Sequence, residues 1–226
     1  MPAGSITVFA ASSLTGAFTE AGEAFEAAHP GTTVRFSFGA SSTLVGQILE
    51  GAPADVFASA DEATMAALAA ESGTRGTPVV FAHNRLAIIV ERGNPLGIAD
   101  LADLAREDVI VVLCDERVPC GSYARAALDA AGVTVTPDGY EARVTGVVAK
   151  VALGEADAGI VYVTDVAAAA DETDGVAIPD ADNVIATYPM VATAAAGNRA
   201  LADAFIDFVT GAEGQAILER HGFAAP

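Results

Sequence analysis

The amino-acid sequence predicts an α/β protein of two lobes, each a mostly parallel sheet flanked by helices, with a ligand cleft between them. Three observations carry this. Apolar strand-like runs alternate with segments of helical period over roughly the first 70 residues, which implies a parallel sheet with right-handed crossovers. Two strand-like runs with no helix between them then break that rhythm. The same grammar resumes afterwards and closes on a strand-like stretch that would return the chain to its starting lobe.

The first unit of this grammar is Ile6 to Leu14, an apolar run that stops at two adjacent hydroxyls, Ser12 and Ser13. Leu14, Phe18, Ala21 and Phe25 follow on one helical face. Ser12 or Ser13 therefore occupies the position of a helix cap, where unpaired N–H groups and the macrodipole attract anions. The second unit repeats the device. Val34 to Phe38 alternates as a strand, and Ser41, Ser42 and Thr43 lead into Leu44, Val45, Ile48 and Leu49 at helical spacing, ended by Gly51 and Pro53. Both serine turns then lie beyond strand carboxyl ends, the edge at which open α/β sheets bind ligands. Capping alone and a shared anion site both fit this pattern. A third unit runs from the strand Ala54 to Ala58 into a capping box formed by Ser59 and Glu62.

Pro78 to Ala82 and Arg85 to Val90 are the two strands that break the rhythm, and the chain crosses between lobes there. In the second lobe, Val109 to Leu113 reads as a strand buried on both faces. A turn from Asp115 to Gly121 and a helix from Ser122 to Ala131 follow, the helix ended by Gly132. Thr145 caps a short helix through Val147, Val148, Val151 and Leu153; Gly159 to Val163 is a second buried strand, followed by an alanine-rich helix. Asn183 to Ala194 returns the chain, Asn198 caps a helix carrying Leu201, Phe205 and Phe208, and a last helix ends at Gly222. The expected lobes are residues 1–82 with 193–226, and residues 83–192.

Composition narrows the function. The chain is 52% hydrophobic with mean hydropathy +0.43, yet no apolar run approaches the ~18 residues a membrane helix needs. A formal charge of −19 argues against nucleic acid, whose binding leans on Lys and Arg contacts to phosphate. The same charge is unexpected for an anion binder unless neutral dipoles hold the anion locally. Cys114 and Cys120 suit either one disulfide in an oxidising compartment or two buried thiols, and no four-ligand metal spacing occurs. Met1-Pro2 leads straight towards the first strand without a signal peptide, as in a cytoplasmic protein or a mature secreted one with an engineered start.

Catalytic motifs are missing from the sequence. Ser12 and Ser13 lack the flanking glycines of a nucleophile elbow, His29, His83 and His221 carry no mark of a general base, and no phosphate-binding or dinucleotide loop is present. Two further stretches lie at strand ends. Val118 to Gly121 opens a helix after a buried strand, so the N–H of Cys120 or Gly121 faces either an ordinary loop or the cleft. Tyr162 ends another buried strand and is either a core tyrosine or a hydroxyl offered to the same cleft.

Taken together, the stretches Ile6 to Leu14, Ala40 to Leu44, Gly51 to Phe57, Val118 to Ala124 and Gly159 to Tyr162, with a closing Tyr-Pro and Gly-Phe, resemble the periplasmic molybdate-binding proteins of molybdate ABC importers, from Ile6 to Phe223. The resemblance implies a two-lobed periplasmic-binding-protein fold that closes over molybdate or tungstate and delivers it to a membrane permease. It implies no enzyme activity, no cofactor beyond the ligand, and a monomer located in the periplasm or outside the cell, lipid-anchored or not in its full-length precursor. The ligand set it implies is Ser13 and Ser41 through hydroxyl and N–H, Cys120 and Val144 through N–H, and the Tyr162 hydroxyl, all reaching the metal through oxyanion oxygens. Cysteine at 120 replaces the family's commoner alanine, and an extracytoplasmic location favours a Cys114–Cys120 disulfide. Another tetrahedral oxyanion such as sulfate, or a cytoplasmic sensor or enzyme on the same fold, is the alternative. None of the five residues titrates near neutrality, so affinity is expected to be level from about pH 6 to pH 8.

Overall fold

The structure, a computed structural model, describes residues 3–226. Met1 and Pro2, on which the leader-free start rests, lie outside the described residues. The chain divides into two compact units, Met1–His83 with Thr187–Pro226, and Asn84–Ala186.

In the first unit the strands β1 (Gly4–Ala11), β2 (Thr32–Gly39) and β3 (Val56–Ala58) alternate with the helices α1 (Thr15–Ala28), α2 (Ser41–Leu49) and α3 (Glu62–Ala70). β1 pairs in parallel with β2 from Gly4↔Thr32 to Ala11↔Gly39, and with β3 from Val8↔Val56 to Ala10↔Ala58. Both crossovers are single helices, as parallel pairing requires. On one face of this sheet Phe9, Phe57, Leu44, Ile48, Met65 and Leu68 form a buried cluster. Each fully buried apolar side chain of this size contributes about 1.5–3 kcal/mol. A second cluster is aromatic: Phe18 lies against Phe36, Phe81 and Phe205, and Phe25 against Phe205 and Phe208.

The two strand-like runs at 78–90 are one 18-residue strand, β4 (Thr74–Glu91). It leads into the second unit, built from β5 (Val112–Cys114), α4 (Pro119–Ala131), β6 (Gly139–Glu141), α5 (Val144–Ala152), β7 (Ala158–Tyr162), α6 (Val163–Ala168) and β8 (Thr173–Ala177). β5 pairs in parallel with β6, and a parallel bridge joins Val111 to Ala158 at the start of β7. Leu86–Val90 of β4 pairs antiparallel with β7, and Ala87–Glu91 pairs antiparallel with β8. The sheets expected to be mostly parallel are so between β5, β6 and the start of β7, and antiparallel along β4. The edge strand β8, absent from the sequence reading, is a short polar segment with mixed exposure.

β9 (Ile185–Thr193) brings the chain back and pairs antiparallel with β3. The helices α7 (Arg199–Thr210) and α8 (Ala212–Arg220) complete the first unit. Asn198 caps α7 as its sequence context suggested, its side chain accepting from the Leu201 N–H. At the start of α3 the cap is Asp61, whose carboxylate accepts from the Thr64 N–H at 2.9 Å, and not the Ser59–Glu62 box. A carboxylate two residues on out-competes the serine because it also meets the positive helix end.

Candidate oxyanion site

Strand register brings the two serine turns of the first unit to one edge. Ala11 is paired with Gly39, so Ser13 and Ser41 each stand two residues beyond the carboxyl end of adjacent parallel strands. β3 ends in the same row, with Ala58 opposite Ala10. Neither hydroxyl caps a helix. Ser12–Leu14 is a single 3₁₀ turn ahead of α1, and no side chain caps either element. Ser41 is the first residue of α2, after Ala40, again without a side-chain cap. The capping role open to these serines is thus not the one they take.

Their hydroxyls are engaged from behind. Ser41 is 1% exposed, and its Oγ accepts a hydrogen bond from the Ala60 N–H at 3.1 Å. Ser13 is half-buried, and its Oγ lies 3.0 Å from the hydroxyl of Tyr188 on β9.

The second unit presents backbone donors. α4 opens on Val118 and Pro119, earlier than the expected Ser122, because proline suits a first helical position that has no N–H to satisfy. Cys120 is therefore in the first turn of α4. Among the described residues its N–H donates to no acceptor, whereas the Gly121 and Ser122 N–H groups are spent on Val118 O at 3.0 Å. Gly121 is required here: a Cβ would lie 2.0 Å from the Asp115 carbonyl oxygen. Cys120 is joined to Cys114 at the end of β5 by a disulfide with a Cα–Cα distance of 5.9 Å. Val144 is the first residue of α5, behind Arg143 and not capped by Thr145, and its N–H is likewise undonated among the described residues. Cys114 pairs with Glu141, so α4 and α5 start beyond the carboxyl ends of paired strands. Tyr162 ends β7 and is 1% exposed.

Arg117 chelates Asp115 at 2.8 and 2.6 Å and holds its carboxyl well below the usual range. The sequence reading missed Asp165, in the first turn of α6. It is 7% exposed and accepts from the Tyr162 N–H at 3.0 Å. Burial raises its pKa from 3.8 to about 7, against the smaller lowering by that N–H. The signal was a polar residue three positions into a helix that follows a buried strand. A carboxyl that titrates near neutrality thus sits directly behind a candidate ligand residue, which the expectation of a pH-insensitive site did not include. Among the described residues, no three His, Cys, Asp or Glu side chains are grouped to hold a metal ion.

In each unit, neutral donors stand at helix starts, where an anion can be held without lysine or arginine. The chain belongs to the bacterial extracellular solute-binding protein family, whose pattern matches residues 6–224. Within that family it is 45% identical over 222 residues to the molybdate-binding protein ModA of Mycobacterium bovis, covering 98% of this chain and 85% of that one. The molybdate-binding protein ModA of Escherichia coli is 34% identical, with 97% of this chain and 89% of that one covered. In fold, the periplasmic molybdate-binding protein of Azotobacter vinelandii superposes with a TM-score of 0.87 at 22% identity, covering 98% and 99% of the two chains. Among the described residues, no helix is long and apolar enough to cross a membrane.

Proposed function

We propose that this protein captures molybdate or tungstate outside the cytoplasm, as a monomer, and delivers it to the membrane permease of an ABC importer. Ser13 and Ser41 donate through hydroxyl and N–H, Cys120 and Val144 through N–H, and Tyr162 through its hydroxyl. On the sequence reading the two units are residues 1–82 with 193–226 and residues 83–192. A lipid anchor on the precursor would keep the protein beside its permease.

The observation that carries the reading is that neither Ser13 nor Ser41 is spent as a helix cap, and that the N–H groups of Cys120 and Val144 at the starts of α4 and α5 donate to no acceptor among the described residues. A tetrahedral dianion offers four acceptor oxygens and no donor, and charge-assisted hydrogen bonds of this kind contribute about 1.5–3 kcal/mol each. The 45% identical relative named for molybdate binding supports the choice of anion. Thermal unfolding with and without ligand tests it. Molybdate at about 100 times its Kd should stabilise the folded protein by about 2.7 kcal/mol, a rise of several degrees in Tm. An unchanged Tm at millimolar molybdate and tungstate would refute the reading.

A further inference from the structure

Tyr188 is fully buried on β9, 175 residues from Ser13 in sequence. Its ring is held edge-on between Phe81, at 6.3 Å, and Phe223, at 5.4 Å. That packing aims its hydroxyl at Ser13 Oγ, 3.0 Å away. Either oxygen can donate in the free protein. A serine hydroxyl has one proton, however, and a fully deprotonated oxyanion presents only acceptors. Once Ser13 gives its proton to the ligand, the Tyr188–Ser13 bond persists only with Tyr188 as donor. Ser41 is arranged in the same way, since its Oγ accepts from the Ala60 N–H and its own proton is left for another acceptor.

We propose that Tyr188 is a positioning residue: by donating to Ser13 Oγ it leaves the Ser13 proton for the anion. This rests on Ser13 being a ligand residue, as in the function proposed above.

The test is a double-mutant cycle of Tyr188→Phe and Ser13→Ala, read by calorimetric titration with molybdate near pH 7. Tyr188→Phe keeps the ring and its contacts with Phe81 and Phe223, and an unchanged circular dichroism spectrum checks that the variant folds. It should weaken molybdate binding about three- to tenfold, the range for one neutral hydrogen bond. It should have no further effect in the Ser13→Ala background. An equal loss in both backgrounds, or wild-type affinity with Ser13→Ala impaired, overturns the role of Tyr188 alone. Wild-type affinity in Ser13→Ala overturns the ligand assignment on which it rests.

Discussion

Asp165 makes the stability of the second unit depend on pH in a direction opposite to that of an ordinary surface carboxylate. Its folded pKa is raised, so the folded state holds its proton over a range in which the unfolded chain has released it. Stability therefore falls as pH rises from about 4 and levels off above about 7. The rise from 3.8 to about 7 converts, at ~1.4 kcal/mol per pH unit, to on the order of 4 kcal/mol. More than half of that falls between about pH 5 and pH 8, because the unfolded carboxyl is mostly ionised by pH 5. Urea unfolding of the wild type and of Asp165→Asn across this range isolates the effect, since other groups titrate equally in both. The amide keeps an acceptor for the Tyr162 N–H and carries no charge. The variant should gain on the wild type by about 2–3 kcal/mol between the two ends. A difference that stays constant with pH would refute a neutral buried carboxyl at this position. The same titration bears on binding: as Asp165 ionises it pulls harder on the Tyr162 N–H, so molybdate affinity measured at constant salt from about pH 6 to pH 8 should drift in the wild type and level out in the variant.

Three further outcomes follow from the site. Ser41→Ala should weaken molybdate binding by about ten- to hundredfold, and it should also cost about 1–3 kcal/mol of stability because the buried Ala60 N–H loses its acceptor; titration and melting on one sample separate the two losses, and unchanged affinity would remove Ser41 from the ligand set. Gly121→Ala should destabilise by more than about 2 kcal/mol, since the methyl meets the Asp115 backbone and not a movable side chain; a neutral melting point would mean that the turn is not as tight as described. Intact-mass analysis after alkylation should show no modified cysteine until a dithiol reductant is added, and reduction should lower stability by about 2–3 kcal/mol or less, as a short closed loop implies; two alkylated thiols in unreduced protein would contradict the bridge.

Much of this molecule is legible in the sequence because its elements are strongly periodic. β1, α1, β2 and α2 follow directly from the runs Ile6 to Phe25 and Val34 to Leu49, and the positive-φ glycines at 51, 132 and 222 stand where helices were expected to end. Other features depend on distance in sequence and are invisible along the chain. The Tyr188 hydroxyl behind Ser13 and the Ala60 N–H behind Ser41 join residues 175 and 19 positions apart. The capping expectation for Ser12 and Ser13 was undone by a 3₁₀ turn, which needs no side-chain acceptor. β4 looked like two strands because Asn84 and Arg85 interrupt its apolar run; Asn84 is in fact buried and donates to Thr164 Oγ1 at 2.9 Å, which satisfies a polar residue inside a long strand. Asp165 was hidden for a related reason, since burial and not composition sets its pKa.

The most direct measurement on the central claim is calorimetric titration of the protein against molybdate, tungstate, sulfate and phosphate at constant pH and salt. The expected result is one site per chain that binds molybdate or tungstate with a Kd of about 1 μM or tighter, and phosphate far more weakly. No heat of binding for either metal oxyanion at micromolar protein, or a site that prefers phosphate, would contradict it.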